Sequence, residues 1–386
     1  MMGNRTATHA KLMGASILTI WPILIVSFLS GQTLPPVAIV PTATISQGDL
    51  VAAQRGDVKA QLKIGRAYYE GTAGKRNYSE AYRWFTEAER SGSAEGKAWL
   101  GSCYLLGYGV QIDVETASTL ISASAKTGNP IGERFLGFMY ESGQGMPQSY
   151  SEAIRWYQAS SEQGDGNAFD KLGLLYLYGR GAHRNPSIAF QLFLQGADTG
   201  DSWAQLHLAQ MYRSGHIFLP GSSSITDGLL PRQETSQQNP ISSIAVSSTL
   251  SGKSTPLTTS SVETQEPDYQ KAYQLFLLSS NQGNKVAAFY IAQMYEAGEG
   301  VEQSYSKAFY YYSFSAVRKY APAQLAIGQS YALGRGTQQD LPRAYVSYRL
   351  AAEQGNTVAK ALLSDLTAHL TTDELSRSQQ LYSSSK

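Results

Sequence analysis

Few side chains in this chain are reactive enough to do chemistry, so their spacing is the first thing to weigh. One cysteine, Cys103, offers a thiol. Alone it can close neither an intramolecular disulfide nor a cysteine-based zinc site. Five histidines (His9, His183, His207, His216 and His369) are scattered, with no His-x-x-x-His pair to set two imidazoles on one helix face. Gly-x-Gly recurs at Gly107/Gly109, Gly143/Gly145, Gly179/Gly181, Gly298/Gly300 and Gly334/Gly336. A glycine turn of that kind cradles a phosphate when it joins a strand to a helix. Each pair here follows a helical stretch and precedes another, which is not that context. H-E-x-x-H, G-x-S-x-G and the phosphate-binding G-x-x-x-x-G-K-[ST] are all absent. No catalytic residue, cofactor or metal site is expected, and Trp84 and Trp156 are expected to pack between helices.

The reason these residues do not form a site lies in the elements that carry them. Gly56, Gly92, Gly128, Gly164 and Gly200 stand 36 residues apart, and Gly283, Lys319 and Gly355 continue the spacing. Other columns fall into the same register. Tyr68, Tyr104, Tyr140, Tyr176, Tyr212, Tyr295 and Tyr331 form one, and Gly71, Gly107, Gly143, Gly179, Gly215, Gly298 and Gly334 another. Cys103 shares its column with Ala67, Met139, Leu175, Met211, Met294 and Ser330, which makes it a core position.

Each unit has room for two helices. In the first, Ala60, Ile64 and Tyr68 recur at helical spacing, and the glycine column ends the helix. The second begins at Asn77, Asp113, Ser149, Asn185, Asp268, Ser304 or Asp340, all side chains that cap a first turn. Glu80 and Glu152, three residues on, fit capping boxes. An alanine column from Ala81, a bulky column (Phe85, Ile121, Tyr157, Phe193, Phe276, Tyr312, Tyr348) and a small column (Ala88, Ser124, Ser160, Gly196, Ser279, Ser315, Ala351) form the packed stripe. The fold expected is all-α, an array of antiparallel helix pairs over 49–370. A lone helix from Asp49 closes one end, and a capping helix within 371–386, with Thr372 as its N-cap, closes the other.

The segments at 100–117, 136–164 and 291–312 resemble the Sel-1-like repeat family, a branch of the tetratricopeptide-type α-solenoids. They share its L-G-x-x-Y-x-x-G-x-G-V pattern, a capping residue, then alanine and paired aromatics. The resemblance runs from about Gly56 to the C-terminus. It implies a right-handed superhelical solenoid that binds proteins along its concave face. Family members that act on β-lactams carry paired cysteines in each repeat, which this chain lacks.

Composition narrows the partners. Lys+Arg 31 against Asp+Glu 30 gives a net charge of +1, no basis for holding a nucleic-acid backbone. Arg5, His9 and Lys11 precede an uncharged, mostly apolar run from Leu12 to Leu29. That asymmetry makes 1–30 either a cleaved signal peptide or a retained membrane anchor, with proline-containing 31–48 as linker. About 217–266 is a polar insertion in the fifth unit, too poor in large apolar groups to fold alone.

The function expected is a non-enzymatic protein-binding scaffold, in the periplasm or anchored in the inner membrane with its repeats outside the cytoplasm. Support of exopolysaccharide or envelope export is the alternative reading, and an extracytoplasmic hydrolase a third that lacks any motif. On the first helices, units two to four carry an apolar excess. Trp99, Leu106, Phe135, Phe138, Phe169, Leu174 and Tyr178 are therefore the expected partner-binding residues. Units one and five are polar there, with Lys63, Arg66, Glu70, His207, Gln210 and Arg213.

Overall fold

The computed structural model describes residues 45–72, 74–215 and 266–385. The apolar run near the N-terminus and nearly all of the insertion lie outside them. Among the described residues there are seventeen helices and no strand, and none of those helices is long and apolar enough to cross a membrane.

A short α1 (Gln47–Gln54) leads into helix pairs. These are α2 (Val58–Glu70) with α3 (Tyr78–Arg90), α4 (Ala94–Leu106) with α5 (Val114–Ala125), α6 (Pro130–Ser142) with α7 (Tyr150–Glu162), and α8 (Gly166–Tyr178) with α9 (Pro186–Asp198). Beyond them come α10 (Ser202–Ser214) with α11 (Tyr269–Asn281), α12 (Lys285–Ala297) with α13 (Tyr305–Ala316), and α14 (Ala321–Leu333) with α15 (Leu341–Glu353). The C-terminal end is made by α16 (Thr357–His369) and α17 (Thr372–Ser384). From α1 to α16 every helix packs on the next, and α17 packs back on α15, giving the all-α solenoid of helix pairs.

The repeat is held by a small set of bonds made again in each unit. All seven second-helix caps form, from Asn77 accepting the Glu80 amide at 3.2 Å to Asp340 accepting the Arg343 amide at 2.9 Å. The backbone amide of each capping residue in turn donates to the carbonyl of the unit's column tyrosine: Asn77 to Tyr68, Asp113 to Tyr104, and so on to Asp340 and Tyr331. The loop is thereby pinned at both ends without any side chain outside the repeat. The column glycine before it is left-handed in every copy, from φ 68° at Gly334 to 80° at Gly71. Glu80 and Glu152 do not close capping boxes; they reach their i+3 arginines, Arg83 at 2.6 Å and Arg155 at 2.8 Å.

Packing follows a large-into-small rule. The rings of Phe85, Tyr157 and Phe193 are fully buried against Gly65, Gly137 and Gly173, where even a methyl group would lie within 2.8 Å of ring carbon. Hydroxyls of the small column tie the two helices of a pair together. Ser124 donates to the Ala94 carbonyl, Ser160 to Pro130, Ser279 to Ser202 and Ser315 to Lys285, at 2.6 to 2.8 Å.

The two ends differ slightly from expectation. α1 starts at Gln47, before Asp49, because Ser46 accepts the Asp49 amide and leaves that carboxylate in the first turn. The last helix is capped by Thr371, not Thr372. Its hydroxyl accepts the Glu374 amide while the Glu374 carboxylate accepts the Thr371 amide, a full capping box.

Candidate partner-binding face

The seven expected residues sit on α4, α6 and α8, but the structure divides them into two groups. Trp99, Phe135 and Phe169 are not on an open face; they are buried, at 6%, 8% and 8% exposure. The cause is the close approach of consecutive first helices, α4 on α6 and α8 on α10, which takes the apolar residues between them out of water. Trp99 stacks on Phe85 with centroids 5.5 Å apart and meets Tyr69 and Phe135 edge-on. Its indole N–H donates to Glu95 at 3.1 Å, and the Arg134 guanidinium covers the Phe135 ring at 4.6 Å. These three residues join units rather than present themselves to a partner.

The remaining four do reach the surface. Leu106, Phe138 and Leu174 are half-buried, and Tyr178, the last residue of α8, is 62% exposed. Leu106 and Phe138 pack against the buried cluster that contains Trp99 and Phe135. They are therefore held by the core while keeping an outer edge free. Arg180 lies 5.5 Å from the Tyr178 ring centroid, leaving a cation beside the aromatic.

Next to this strip runs a polar network that the sequence did not disclose. Arg134 on α6 pairs with Asp165 at 2.7 Å, and the same carboxylate accepts from Ser160 and caps α8. Gln163 donates to Glu133 at 2.8 Å. His207 on α10 meets Asp170 on α8 at 2.6 Å, and Asp170 is 1% exposed. His207 thus has a carboxylate partner, but one helix pair away and not at helical spacing. The columns give little signal for it: Asp170 lines up with Leu62, Ala98 and Leu206 but also with Arg134, and His207 with Trp99 and Phe135 but also with Lys63 and Lys171.

Burial shapes the acid–base character of this region. It raises the Asp201 carboxyl and, with opposition from the Gln163 amide, that of Glu133. The Cys103 thiol, fully buried, is pushed up to about 12, so no thiolate is available at neutral pH. Among the described residues, no three of His, Cys, Asp and Glu gather in a way that could hold a metal.

Compared with protein-family models, the chain matches the Sel1 repeat seven times, over 58–93, 94–117, 130–165, 170–201, 263–284, 285–316 and 321–356. Together these cover more than half of it. The chain belongs to the Sel1 repeat family. No curated protein matches it. Among solved structures, a Sel1 repeat protein from Oxalobacter formigenes is 24% identical, with 82% of this chain and 78% of that one aligned at a TM-score of 0.52. That likeness is one of fold. A protective antigen of uropathogenic Escherichia coli with the same type of fold is 22% identical over 87% of this chain and 70% of its own, at a TM-score of 0.40.

Sel1 repeats are generally protein-interaction scaffolds and are typically non-catalytic. The face described above fits that use. It offers an apolar edge fixed by a packed core, with a cation beside it.

Proposed function

We propose that this Sel1 repeat protein is an adaptor that holds a protein partner against Leu106, Phe138, Leu174 and Tyr178, outside the cytoplasm. The observation that carries the reading is the exposure of Tyr178 on a first helix. A large aromatic left 62% in water at the end of a packed strip is the kind of residue on which binding energy concentrates. The buried Trp99 and Phe135 beneath the strip keep its shape fixed before the partner arrives, which lowers the entropy lost on binding. Placement outside the cytoplasm rests on the apolar run Leu12–Leu29 and its basic N-terminal flank.

The test is a pull-down from detergent-solubilised membranes with the full chain and with Phe138→Glu and Tyr178→Glu. Circular dichroism would confirm that both variants stay folded. Partners captured by the parent should be lost from both. Retention of every partner by folded variants would sink the assignment of this strip. A reporter fusion that is active only in the cytoplasm would sink the location.

A further inference from the structure

A second opening lies elsewhere on the array, between α12 and α14. These consecutive first helices do not make the close approach seen between α4 and α6, and a cleft of about 310 Å³ lies there. Phe289, Leu325 and Leu333 give it apolar surface, with Leu333 61% exposed. Gln293, Glu296, Gln329 and Arg335 supply its polar groups.

Those polar groups are only partly engaged. One Glu296 oxygen accepts from the Tyr312 hydroxyl at 2.7 Å, which fixes the carboxylate and leaves its second oxygen able to accept. The Gln293 carbonyl oxygen accepts from Arg213 at 3.0 Å, leaving its amide N–H groups to donate. Gln329 and Arg335 are exposed, and Arg335 has no acidic partner among the described residues. Gln293 and Gln329 occupy the same position in consecutive units, with Gln210 at that position one unit earlier.

A side-chain amide is both donor and acceptor, as is a peptide unit. The amide recurs once per unit here, at Gln293 and Gln329, beside the apolar Phe289, Leu325 and Leu333, which suits a ligand that itself repeats an amide.

A separate observation marks the same wall. Two adjacent residues there break rules that the other units keep. Lys319 is the one non-glycine residue at positive φ among those described, at 57°. Tyr320 takes the capping position of α14 without making a cap bond, where the other pairs use Asp, Ser or Asn. Tyr320 instead lays its ring edge-on against Phe289, 5.3 Å between centroids, and Phe289 lines the cleft. Local stability has been given up to hold a cleft residue in place, as functional sites often require.

We propose that the cleft between α12 and α14 binds an extended peptide segment bearing a carboxylate. Gln293 and Gln329 bond its main chain, Phe289, Leu325 and Leu333 take an aliphatic side chain, and Arg335 pairs with the carboxylate. The proposal shares the protein-binding premise of the adaptor reading but uses different units, so either can fail without the other.

The full chain would be screened against a randomised heptapeptide library ending in a free carboxylate and against the same library ending in an amide. Enriched peptides should carry an aliphatic residue close to an acid. Enrichment in the free-carboxylate library alone would assign Arg335 to a chain terminus; enrichment of internal Asp or Glu in both would assign it to a side chain. By fluorescence polarisation, Gln329→Ala and Arg335→Glu should each weaken the best peptide about tenfold or more, while Tyr178→Ala leaves it unchanged. Tyr320→Asp, which restores the cap, should raise the melting temperature and yet weaken the peptide. A purely structural Tyr320 would not produce that pairing. The proposal fails if neither library enriches, or if the enriched peptides bind the folded Gln329 and Arg335 variants as well as the parent. It also fails if an oligouronate outcompetes every peptide.

Discussion

Lys319 shows what one residue of a repeat is asked to do. At the equivalent place the other pairs have glycine, at φ 74° to 92°. A lysine in that left-handed conformation costs roughly 1 kcal/mol from the clash of its Cβ with the backbone. Part of that would be returned as unfolded-chain entropy on substitution. Lys319→Gly is therefore expected to raise stability by about 0.5–1 kcal/mol, read as a higher urea midpoint with an unchanged slope. A lower midpoint would mean that the lysine side chain contributes more than the backbone loses. The same scale settles Cys103. A buried thiol held at about 12 should not react with a thiol reagent until the array unfolds, and reaction in the native state would contradict its burial.

At the scale of the helix pair, the second glycine of each Gly-x-Gly loop has a role that is structural. A methyl group on Gly109 would lie 2.3 Å from the Tyr78 carbonyl oxygen, and one on Gly336 would lie 2.1 Å from that of Tyr305. These glycines let each loop sit on the first residue of the preceding second helix, so the motif marks the joint between units. Gly164 provides the control, since it has φ +86° but nothing within 4 Å. Gly164→Ala should cost about 1 kcal/mol for the conformation alone. Gly109→Ala should cost at least about 2 kcal/mol, because it adds a backbone clash at a packed joint. Equal losses in thermal or urea unfolding would show that the loop contact contributes nothing. What was legible in the sequence follows from the same geometry. Caps and column tyrosines act within one repeat and recur seven times, and bulky-on-glycine contacts recur five times, so period alone exposes them. Arg134–Asp165 and His207–Asp170 occur once each and join different units, so no column records them. The burial of Trp99 and Phe135 also depended on how closely α4 approaches α6, which varies along the array and is not written in the composition of either helix.

For the whole array, stability is a sum of pairs and joints, and both of its large-scale properties can be tested. The first is pH. Burial, joined by the hydrogen bond that Tyr295 shares with Tyr273, pushes the Tyr295 hydroxyl up to about 12, and burial pushes Tyr311 to about 12 as well. Burial also raises Tyr69, Tyr157 and Tyr312. A group whose folded pKa is raised contributes stability that is intact below its unfolded value, near 10, and lost as pH rises through the folded value. The array should therefore hold its helicity at pH 9 and unfold cooperatively between about pH 10 and 12, with tyrosinate absorbance rising in the same transition. Gradual titration without loss of helicity would show that these hydroxyls are not buried in solution.

The second property is continuity across the insertion. The Asp268 amide donates to the Tyr212 carbonyl at 3.0 Å, the bond that closes the other six loops within a single repeat. The fifth helix pair is thus joined as though 216–267 were the usual five residues found at 299–303. Replacing 216–267 by Glu-Gly-Val-Glu-Gln should leave every described contact in place. Since each doubling of loop length costs about 0.6 kcal/mol in closure entropy, a roughly tenfold shorter loop should stabilise the fold by up to about 2 kcal/mol. The measurements are the midpoint of urea unfolding and the helical signal before it. An unchanged or higher midpoint with parental helicity means that the solenoid is continuous through α10 and α11 without the inserted residues. A lower one means that the insertion carries part of the fold, and that Tyr212 and Asp268 meet only with its help.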